Sequence, residues 1–278
     1  MAQRIDVFST PSNLTRQSLR TRAVILATCW TLSVLNYPCF GQNNSVGSAS
    51  IEPTMIIDKP TAGMLHRSSY SLNGMFFENG GVLFGVTVGL LDRFSFGISY
   101  GGSEIIGANV PDMNRYPGVS VKPRILEESA GFPALAVGFD WQGRGAYLDA
   151  LKRYMIKSPG FYLVASQNFA VAGNLSLHGG VNMSTERDDG DKDLNVFFGA
   201  EKSLGKDLSF LAEYDPGLND NSGDALGRGR GRGYLNLGMR WNWGRGLVLG
   251  LDFKDILQNQ RNISFSNRTI QIEYVGSF

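Results

Sequence analysis

Two histidines are the first residues to consider for catalysis, because a histidine beside a serine can act as a general base. His178 has Ser176 and Ser184 at even spacings, so all three side chains would share one face of an extended strand. The residues around it, 177–180, do not match the Ser/His/Asn phospholipases that such a pair would otherwise suggest. We therefore expect His178 to belong to a polar network, and we expect no enzymatic activity.

Two acidic segments contain the oxygen ligands that calcium prefers, residues 188–191 (DDGD) and residues 215–224 (DPGLNDNSGD). Neither has the spacing of an established calcium loop. The two cysteines, Cys29 and Cys39, both lie near the N-terminus, in a segment that we expect to be removed. The rest of the chain then has no thiolate ligand. We expect no metal and no cofactor.

The composition indicates the class of element that must position these side chains. The 278 residues include 35 glycines, 11% aromatic residues and only 18% charged residues. This mixture suits many strands joined by tight turns, with rings that face an apolar surrounding. The formal net charge of +1 gives no reason to expect a nucleic-acid partner.

Apolar and polar residues alternate along much of the chain, which indicates half-buried strands. Between residues 234 and 243, apolar side chains recur at every second position from Leu235 to Trp243, and Arg240 lies on the opposite face. The segment 207–215 follows the same rule, except that Leu211 interrupts the polar face. We predict twelve strands, near residues 66–77, 81–91, 93–101, 118–126, 133–141, 159–169, 173–184, 193–203, 207–215, 233–243, 247–255 and 268–277.

The two faces of these strands differ in chemistry. One is aromatic and aliphatic, whereas the other contains charges together with glycine, serine and asparagine. Strands of about ten residues that are apolar outside and polar inside are typical of membrane-spanning barrels. We therefore predict an all-β protein, a transmembrane antiparallel up-and-down β-barrel of about 12 strands. Its lumen would be lined by Lys122, Arg124, His178, Glu201, Glu213, Arg240, Asp252 and Glu273.

The connections between the predicted strands support this fold. Those after even strands are short, and those after odd strands are mostly long, which is the asymmetry expected of such barrels. The final strand, residues 268–278, places Tyr274 and the terminal Phe278 on one apolar face. It is similar to the signal that the barrel-assembly machinery reads, so these two residues are the predicted assembly signal.

The N-terminus has the pattern of an export signal. Arg16, Arg20 and Arg22 precede an apolar run at residues 23–35, and small residues follow at positions 39 and 41, which a signal peptidase would read. The run is shorter than the roughly 20 residues of a membrane-spanning helix. We predict a signal peptide at residues 1–41, a poorly ordered periplasmic lead-in at 42–60 and the barrel at 61–278. A buried N-terminal helix and an uncleaved anchor are the alternatives.

Two of the predicted outer loops have distinctive sequences. Residues 227–233 (GRGRGRG) place Arg228, Arg230 and Arg232 where they could contact a polyanion such as acidic polysaccharide or lipopolysaccharide phosphate, or simply form a solvated turn. Residues 146–156 (AYLDALKRYMI) have apolar side chains at helical spacing, which predicts a short helix at the barrel mouth.

Residues 133–145 (PALAVGFDWQGRG) and 160–169 (GFYLVASQNF) resemble the barrel repeats of YjbH-type exopolysaccharide-associated outer-membrane proteins. The Ala-Glu-Tyr-Asp step at 212–215 and the Gly-Arg-Gly before Tyr234 are similar too. The resemblance covers residues 118–255. It implies a barrel of the bacterial outer membrane with a role connected to polysaccharide export.

These observations leave three functional hypotheses. The first is a barrel with a narrow polar lumen that transports or secretes a polar substrate, with polysaccharide as one candidate. The second is a structural or adhesive barrel with a plugged lumen, which acts through its outer loops. The third is a membrane-embedded hydrolase, for which the sequence gives little support. The expected partners are outer-membrane lipid and lipopolysaccharide and the barrel-assembly machinery, with polysaccharide as a further candidate and no nucleic acid.

Overall fold

A computed structural model describes residues 52–221, 229–261 and 266–278. The predicted signal peptide and Arg228 therefore lie outside the described residues. The described chain is almost entirely β-structure, with one 3₁₀ turn at Leu218–Asp220. Within it, no helix is long and apolar enough to cross a membrane. The strands are β1 (Ser69–Phe77), β2 (Gly81–Leu91), β3 (Phe94–Ser103), β4 (Asp112–Met113), β5 (Gly118–Leu126), β6 (Ala134–Asp140), β7 (Arg144–Leu148), β8 (Arg153–Ile156), β9 (Gly160–Ala170), β10 (Asn174–Met183), β11 (Asn195–Leu204), β12 (Leu208–Asp215), β13 (Tyr234–Gly244), β14 (Leu247–Lys254) and β15 (Asn267–Ser277).

Twelve of these strands form a closed antiparallel barrel, as the alternation predicts. Each pairs with its neighbour along the chain, and the last strand, β15, pairs with the first, β1. Closure therefore leaves no unpaired sheet edge, which a strand surrounded by lipid could not tolerate. All twelve predicted strands are present, with boundaries within three residues of the predicted ones.

The remaining three strands lie outside the barrel wall. Strand β4 adds two residues to β3, and β7 and β8 form a separate hairpin in the connection from β6 to β9. The helix predicted at 146–156 is wrong, because this segment is that hairpin. Lys152 turns the chain with a φ of +49°, and the rings of Tyr147 and Tyr154 meet edge to face at 5.1 Å. Their spacing of seven residues fits two helical turns as well as a cross-strand pair.

Large apolar side chains cover the outside of the barrel. Examples are Phe84 on β2, Phe198 on β11 and Ile270 on β15, which are 60%, 55% and 54% exposed. Exposed apolar side chains on this scale would aggregate in water, whereas a bilayer accepts them. Trp241 and Trp243 lie together near the end of β13, with ring centroids 4.7 Å apart, as in the aromatic belt of a membrane interface. The chain is therefore a β-barrel of the bacterial outer membrane.

The two ends of the barrel differ in the length of their connections. At one end, here the turn rim, the connections are short: 92–93, 127–133, 171–173, 205–207 and 245–246. At the other, the loop rim, only 78–80 is tight. The longer connections there are 104–117, 141–159, 184–194, 216–233 and 255–266. This is the predicted asymmetry, and both ends of the barrel sequence lie at the turn rim.

The segment before β1 lies inside the barrel and not in the periplasm beyond the turn rim. Residues 52–65, which we call the lumen hairpin, fold back on themselves through a bridge between Met55 and Pro60. The Ile56 amide donates to the Lys59 carbonyl at 2.8 Å. The described part of the predicted periplasmic lead-in, residues 52–60, therefore occupies the lumen. The sequence predicts a poorly ordered lead-in, whereas contacts with the barrel wall hold residues 52–60 in an ordered conformation.

Candidate functional site

One carboxylate of the barrel wall holds the tip of the lumen hairpin. Glu213, on the inner face of β12, is almost completely buried, and its Oε2 accepts the amide N–H groups of Ile57, Asp58 and Lys59 at 3.0, 2.9 and 2.8 Å. Its other oxygen accepts the Asn236 amide at 2.9 Å. Three converging N–H donors suit a negative charge, so this carboxylate anchors a turn that would otherwise have unpaired donors.

Ion pairs hold the same tip near the loop rim. Asp58 binds Lys254 of β14 at 2.7 Å and Arg144 of β7 at 2.9 Å. Lys59 binds Asp215 at the end of β12 at 2.5 Å. Both tip side chains are buried, so neither could lose its partner without leaving a buried charge unpaired. The tip therefore joins the wall at two nearby strands, β12 and β14, and also contacts a loop-rim hairpin.

The limbs of the hairpin are fixed nearer the turn rim. Arg124, close to the end of β5, binds Glu52 at 2.7 Å, and Lys122 donates to the carbonyl of Thr54 at 2.9 Å. Arg240 on β13, which binds Asp252 of β14 at 2.5 Å, donates to the Ile56 carbonyl of the hairpin at 3.4 Å. Because Glu52 and residues 65–69 both lie toward the turn rim, the hairpin enters and leaves the lumen through the same end of the barrel.

The lumen is filled on one side only. Ala62 packs into a buried apolar cluster with Phe197 of β11 and Tyr162 and Val164 of β9. Ile56 and Ile57 pack against Leu211 of β12. The interruption that Leu211 makes in the polar face of its strand therefore has a cause, because the hairpin supplies an apolar partner inside the barrel.

Apart from Met75, Leu83 and Lys122, the inward side chains on the opposite side of the lumen, formed by β1, β2, β3 and β5, are mostly small. They include Ser71, Gly85, Thr87, Ser95, Ser99 and Ser120, all of which border a cavity of about 370 Å³. Residues 53–57 of the hairpin form its other side. The cavity is bordered by Lys206 and Asp207 at the turn rim and by Gln142 and Arg144 at the loop rim. We call this cavity the conduit.

The eight residues predicted to line the lumen fall into three groups. Lys122, Arg124, Glu213 and Arg240 contact the hairpin, and Asp252 holds Arg240. Glu201 and Glu273 border the conduit, where Glu273 accepts the Ser71 hydroxyl at 2.6 Å. The third group is His178 alone.

His178 lies on the inner face of β10, with its Nδ1 2.8 Å from the Ser166 hydroxyl. The same hydroxyl accepts the Ala62 amide N–H at 2.8 Å. The serine therefore connects the histidine to the hairpin, as in a structural polar network. Ser166, and not the predicted Ser176 or Ser184, is its partner. Ser176 instead donates to Asn168, and Ser184 lies 3.5 Å from Ser158.

A second set of contacts ties the loops of the loop rim together. Arg153 of β8 is 1% exposed, and one of its terminal nitrogens lies 2.6 Å from Asp189 and 2.7 Å from Asp220. Lys157 also binds Asp189 at 2.7 Å. The acidic segments considered for calcium thus contribute ion pairs. In the part of the chain that the structure describes, no group of three or more metal-ligating side chains is present.

Burial raises the pKa of the Glu186 carboxyl, in the connection between β10 and β11, from 4.5 to about 7. Hydrogen bonds from the Ser158 hydroxyl and the Tyr154 amide oppose this shift but do not cancel it. A carboxyl with a raised pKa favours the packed state while it is protonated. Its contribution is complete below the ordinary pKa and is lost as the pH rises toward 7.

We therefore expect the loops at the loop rim to open more readily at pH 8 than at pH 5. The difference in opening free energy should be roughly 3 kcal/mol or less, as the shift in pKa implies. Hydrogen exchange of residues 153–158, corrected for intrinsic rates, measures it. The Glu186→Gln variant should lose most of the pH dependence, and an unchanged profile in that variant would show that another group is responsible.

The other predicted site residues lie at the surface. Arg230 and Arg232 are exposed at the loop rim. Tyr274 faces outward on β15, and Phe278 is 77% exposed beyond it. Their rings lie near Tyr70 of β1, at 6.2 Å and 6.1 Å, so the predicted assembly signal is at the seam where the barrel closes. The signal role itself stays a prediction.

The chain matches no protein-family model and no curated protein, so the YjbH-type relationship stays a prediction. Several solved structures of porins and outer-membrane channels are similar in fold. They include a KdgM porin (11% identity, TM-score 0.45, covering 76% of this chain and 99% of that one). Omp33 of Acinetobacter baumannii has 10% sequence identity and a TM-score of 0.41, and the match covers 77% of this chain and 98% of that one. The COG4313 channel of Pseudomonas putida F1 has 10% sequence identity and a TM-score of 0.39, and the match covers 84% of this chain and 100% of that one.

Proposed function

We propose that the protein is a narrow outer-membrane channel for small polar solutes, in which the conduit is the path. The observation that supports this is the conduit itself, bordered by hydroxyl-bearing and glycine positions of β1–β5 and by charged residues of both rims. Long loops face the exterior in barrels of this kind. In this orientation, the loop rim lies outside the cell and the turn rim faces the periplasm.

The size of the conduit limits what could pass. A cavity of about 370 Å³ is near the lower end of the roughly 300–1,000 Å³ of ordinary ligand pockets. Ions and small polar molecules fit such a space beside the hairpin. A polysaccharide strand could pass only after the hairpin had left the lumen. Polysaccharide transport is therefore a more specific proposal, which requires this additional step.

A barrel with a permanently plugged lumen, acting through its outer loops, is the second candidate. The dense anchoring of the hairpin by Glu213, Asp215, Lys254 and Lys122 favours it. The two candidates differ in one measurable property, because a plugged barrel should not conduct ions.

Single-channel conductance in a planar bilayer tests the proposal. The full-length protein should give small, stable conductance steps, and Ser120→Trp should reduce them several-fold, because the ring would project into the conduit. Val121→Trp is the matched control, since the next residue of β5 points to the opposite face. No steps from folded wild-type protein would favour the plugged barrel. Equal steps from both variants would place the path elsewhere.

A further inference from the structure

Three exposed arginines converge at one sector of the loop rim. Arg230 and Arg232 precede β13, and Arg261 follows β14; we call them the arginine cluster. A bridge between Gly229 and Gln260 joins their two segments. Asn259 fixes the geometry, because its side-chain oxygen accepts the amide N–H groups of both Arg230 and Arg232, at 3.0 and 2.9 Å.

Among the described residues, the three guanidinium groups have carbonyl contacts only. Arg230 donates to the carbonyl of Arg261 at 3.2 Å, and Arg261 donates to that of Gly229 at 3.3 Å. Arg232 donates to the carbonyl of Leu257 at 3.4 Å. In the same part of the chain, no ion pair includes any of the three, whereas the exposed Arg93 and Arg115 both bind carboxylates.

The described carboxylates of the same loops are engaged elsewhere. Asp255 is fully buried, and its two oxygens accept the amides of Asn259 and Gln260. Asp220 binds Arg153 and Tyr234, and Asp215 binds Lys59. These carboxylates are held inside the loops and none of them forms an ion pair with the cluster, although the buried Asp255 interacts electrostatically with Arg230.

The cluster lies above the lipid-facing surface of the barrel. Tyr214, whose ring is exposed on the outside of β12, donates its hydroxyl to the Arg232 carbonyl at 3.2 Å. Arg268 is exposed on the outer face at the start of β15, opposite the outward Phe253 of β14. Basic side chains just beyond a belt of outward apolar residues stand at the level of lipid headgroups.

We propose that the arginine cluster binds the phosphate groups of lipopolysaccharide in the outer leaflet. A guanidinium pairs with phosphate through two parallel N–H donors, and several of them together hold a di-anionic headgroup. The Asn259 scaffold holds two of the arginine backbones in place before the ligand arrives, which lowers the entropic cost of binding. The proposal concerns the outer surface and does not depend on conduction through the lumen.

Titration of the detergent-solubilised full-length protein with fluorescent lipopolysaccharide tests this site. The triple variant Arg230→Gln, Arg232→Gln, Arg261→Gln should bind at least about tenfold more weakly, because each lost charge-assisted contact contributes. The matched control, Arg67→Gln, Arg93→Gln, Arg245→Gln, removes the same charge from the turn rim and should bind like the wild type. A heat-modifiability gel verifies that each variant is folded.

Two further binding measurements identify the ligand. Dephosphorylated lipopolysaccharide should bind weakly, and inorganic pyrophosphate should compete only at high concentration, because it lacks the lipid that the neighbouring surface contacts. Equal affinity of the cluster variant and the wild type would overturn the proposal. So would tight binding of the dephosphorylated lipid, or complete displacement by dilute pyrophosphate or a lipid-free acidic polysaccharide.

Discussion

Replacing Glu213 with leucine should release the lumen hairpin and raise the single-channel conductance several-fold. The substitution removes the acceptor of three amide N–H groups at the hairpin tip and of the Asn236 side chain. Each buried donor left without a partner costs about 1–3 kcal/mol. The summed cost falls on one turn, and water at the turn rim offers these donors new partners if the hairpin leaves.

The topology of the hairpin makes this release possible without unfolding the barrel. Both limbs pass through the turn rim, so the segment can withdraw without threading a free end through the lumen. The twelve strands keep their pairing, since no strand of the barrel contains hairpin residues. A heat-modifiability gel should therefore show the same folded band for Glu213→Leu and the wild type.

A thiol introduced at position 62 reports the release directly. Ala62 is completely buried against Phe197, and both native cysteines, Cys29 and Cys39, precede the described residues and can be replaced. In the single variant Ala62→Cys, the introduced thiol should not react with a hydrophilic thiol reagent. In the double variant with Glu213→Leu, the same thiol should react. Glu273→Leu is the matched control, because this carboxylate accepts Ser71 and borders the conduit. Protection of the introduced thiol in all backgrounds, with unchanged conductance, would contradict the anchoring role.

The barrel could be predicted from sequence because its determinants are local. Alternation such as that from Leu235 to Trp243 indicates which side chains face lipid. Short connections after even strands and long ones after odd strands indicate the up-and-down topology. The inward orientation of Glu213 and Arg240 follows from the same register. None of these inferences requires knowledge of contacts between distant residues.

The hairpin could not be predicted in this way, because its partners are distant in sequence. The amides of residues 57–59 bond to Glu213, more than 150 positions away. One local signal existed, since Leu211 places an apolar side chain on an otherwise polar face. Such an exception indicates that something apolar lies in the lumen, but it does not identify residues 56 and 57 as the partner.

The hairpin β7–β8 at the loop rim shows a different limit of prediction from sequence. Tyr147 and Tyr154 are seven residues apart, a spacing that a helix and a hairpin both satisfy. The side chain of Arg153 reaches Asp189 and Asp220 from β8, and a helix over the same residues would present it differently. These tertiary contacts accompany the hairpin and cannot be read from local spacing, so helical periodicity alone gives the wrong result.

Arg153→Met should detach the β7–β8 hairpin from the neighbouring loops while the barrel stays closed. Removing one partner from a buried ion pair costs about 3–5 kcal/mol when the other charge is left unpaired. Here Asp189 keeps Lys157 and Asp220 keeps the Tyr234 hydroxyl, so we expect a cost toward the lower end of this range. Methionine keeps an unbranched apolar stem, so the effect reports the charge and its hydrogen bonds. Hydrogen exchange of residues 144–158 and 184–194 should increase strongly, with little change in the barrel strands.

Lys152→Met is the control for this substitution. Lys152 also pairs with an aspartate, Asp188, at 2.9 Å, but both side chains are more than half exposed. An exposed pair of this kind contributes about 1 kcal/mol or less, so exchange in the same loops should barely change. Similar exchange in the two variants would mean that burial of Arg153 adds nothing to its pairing. In that case the loops would be held by the packing of Tyr147 and Tyr154 and not by the ion pairs.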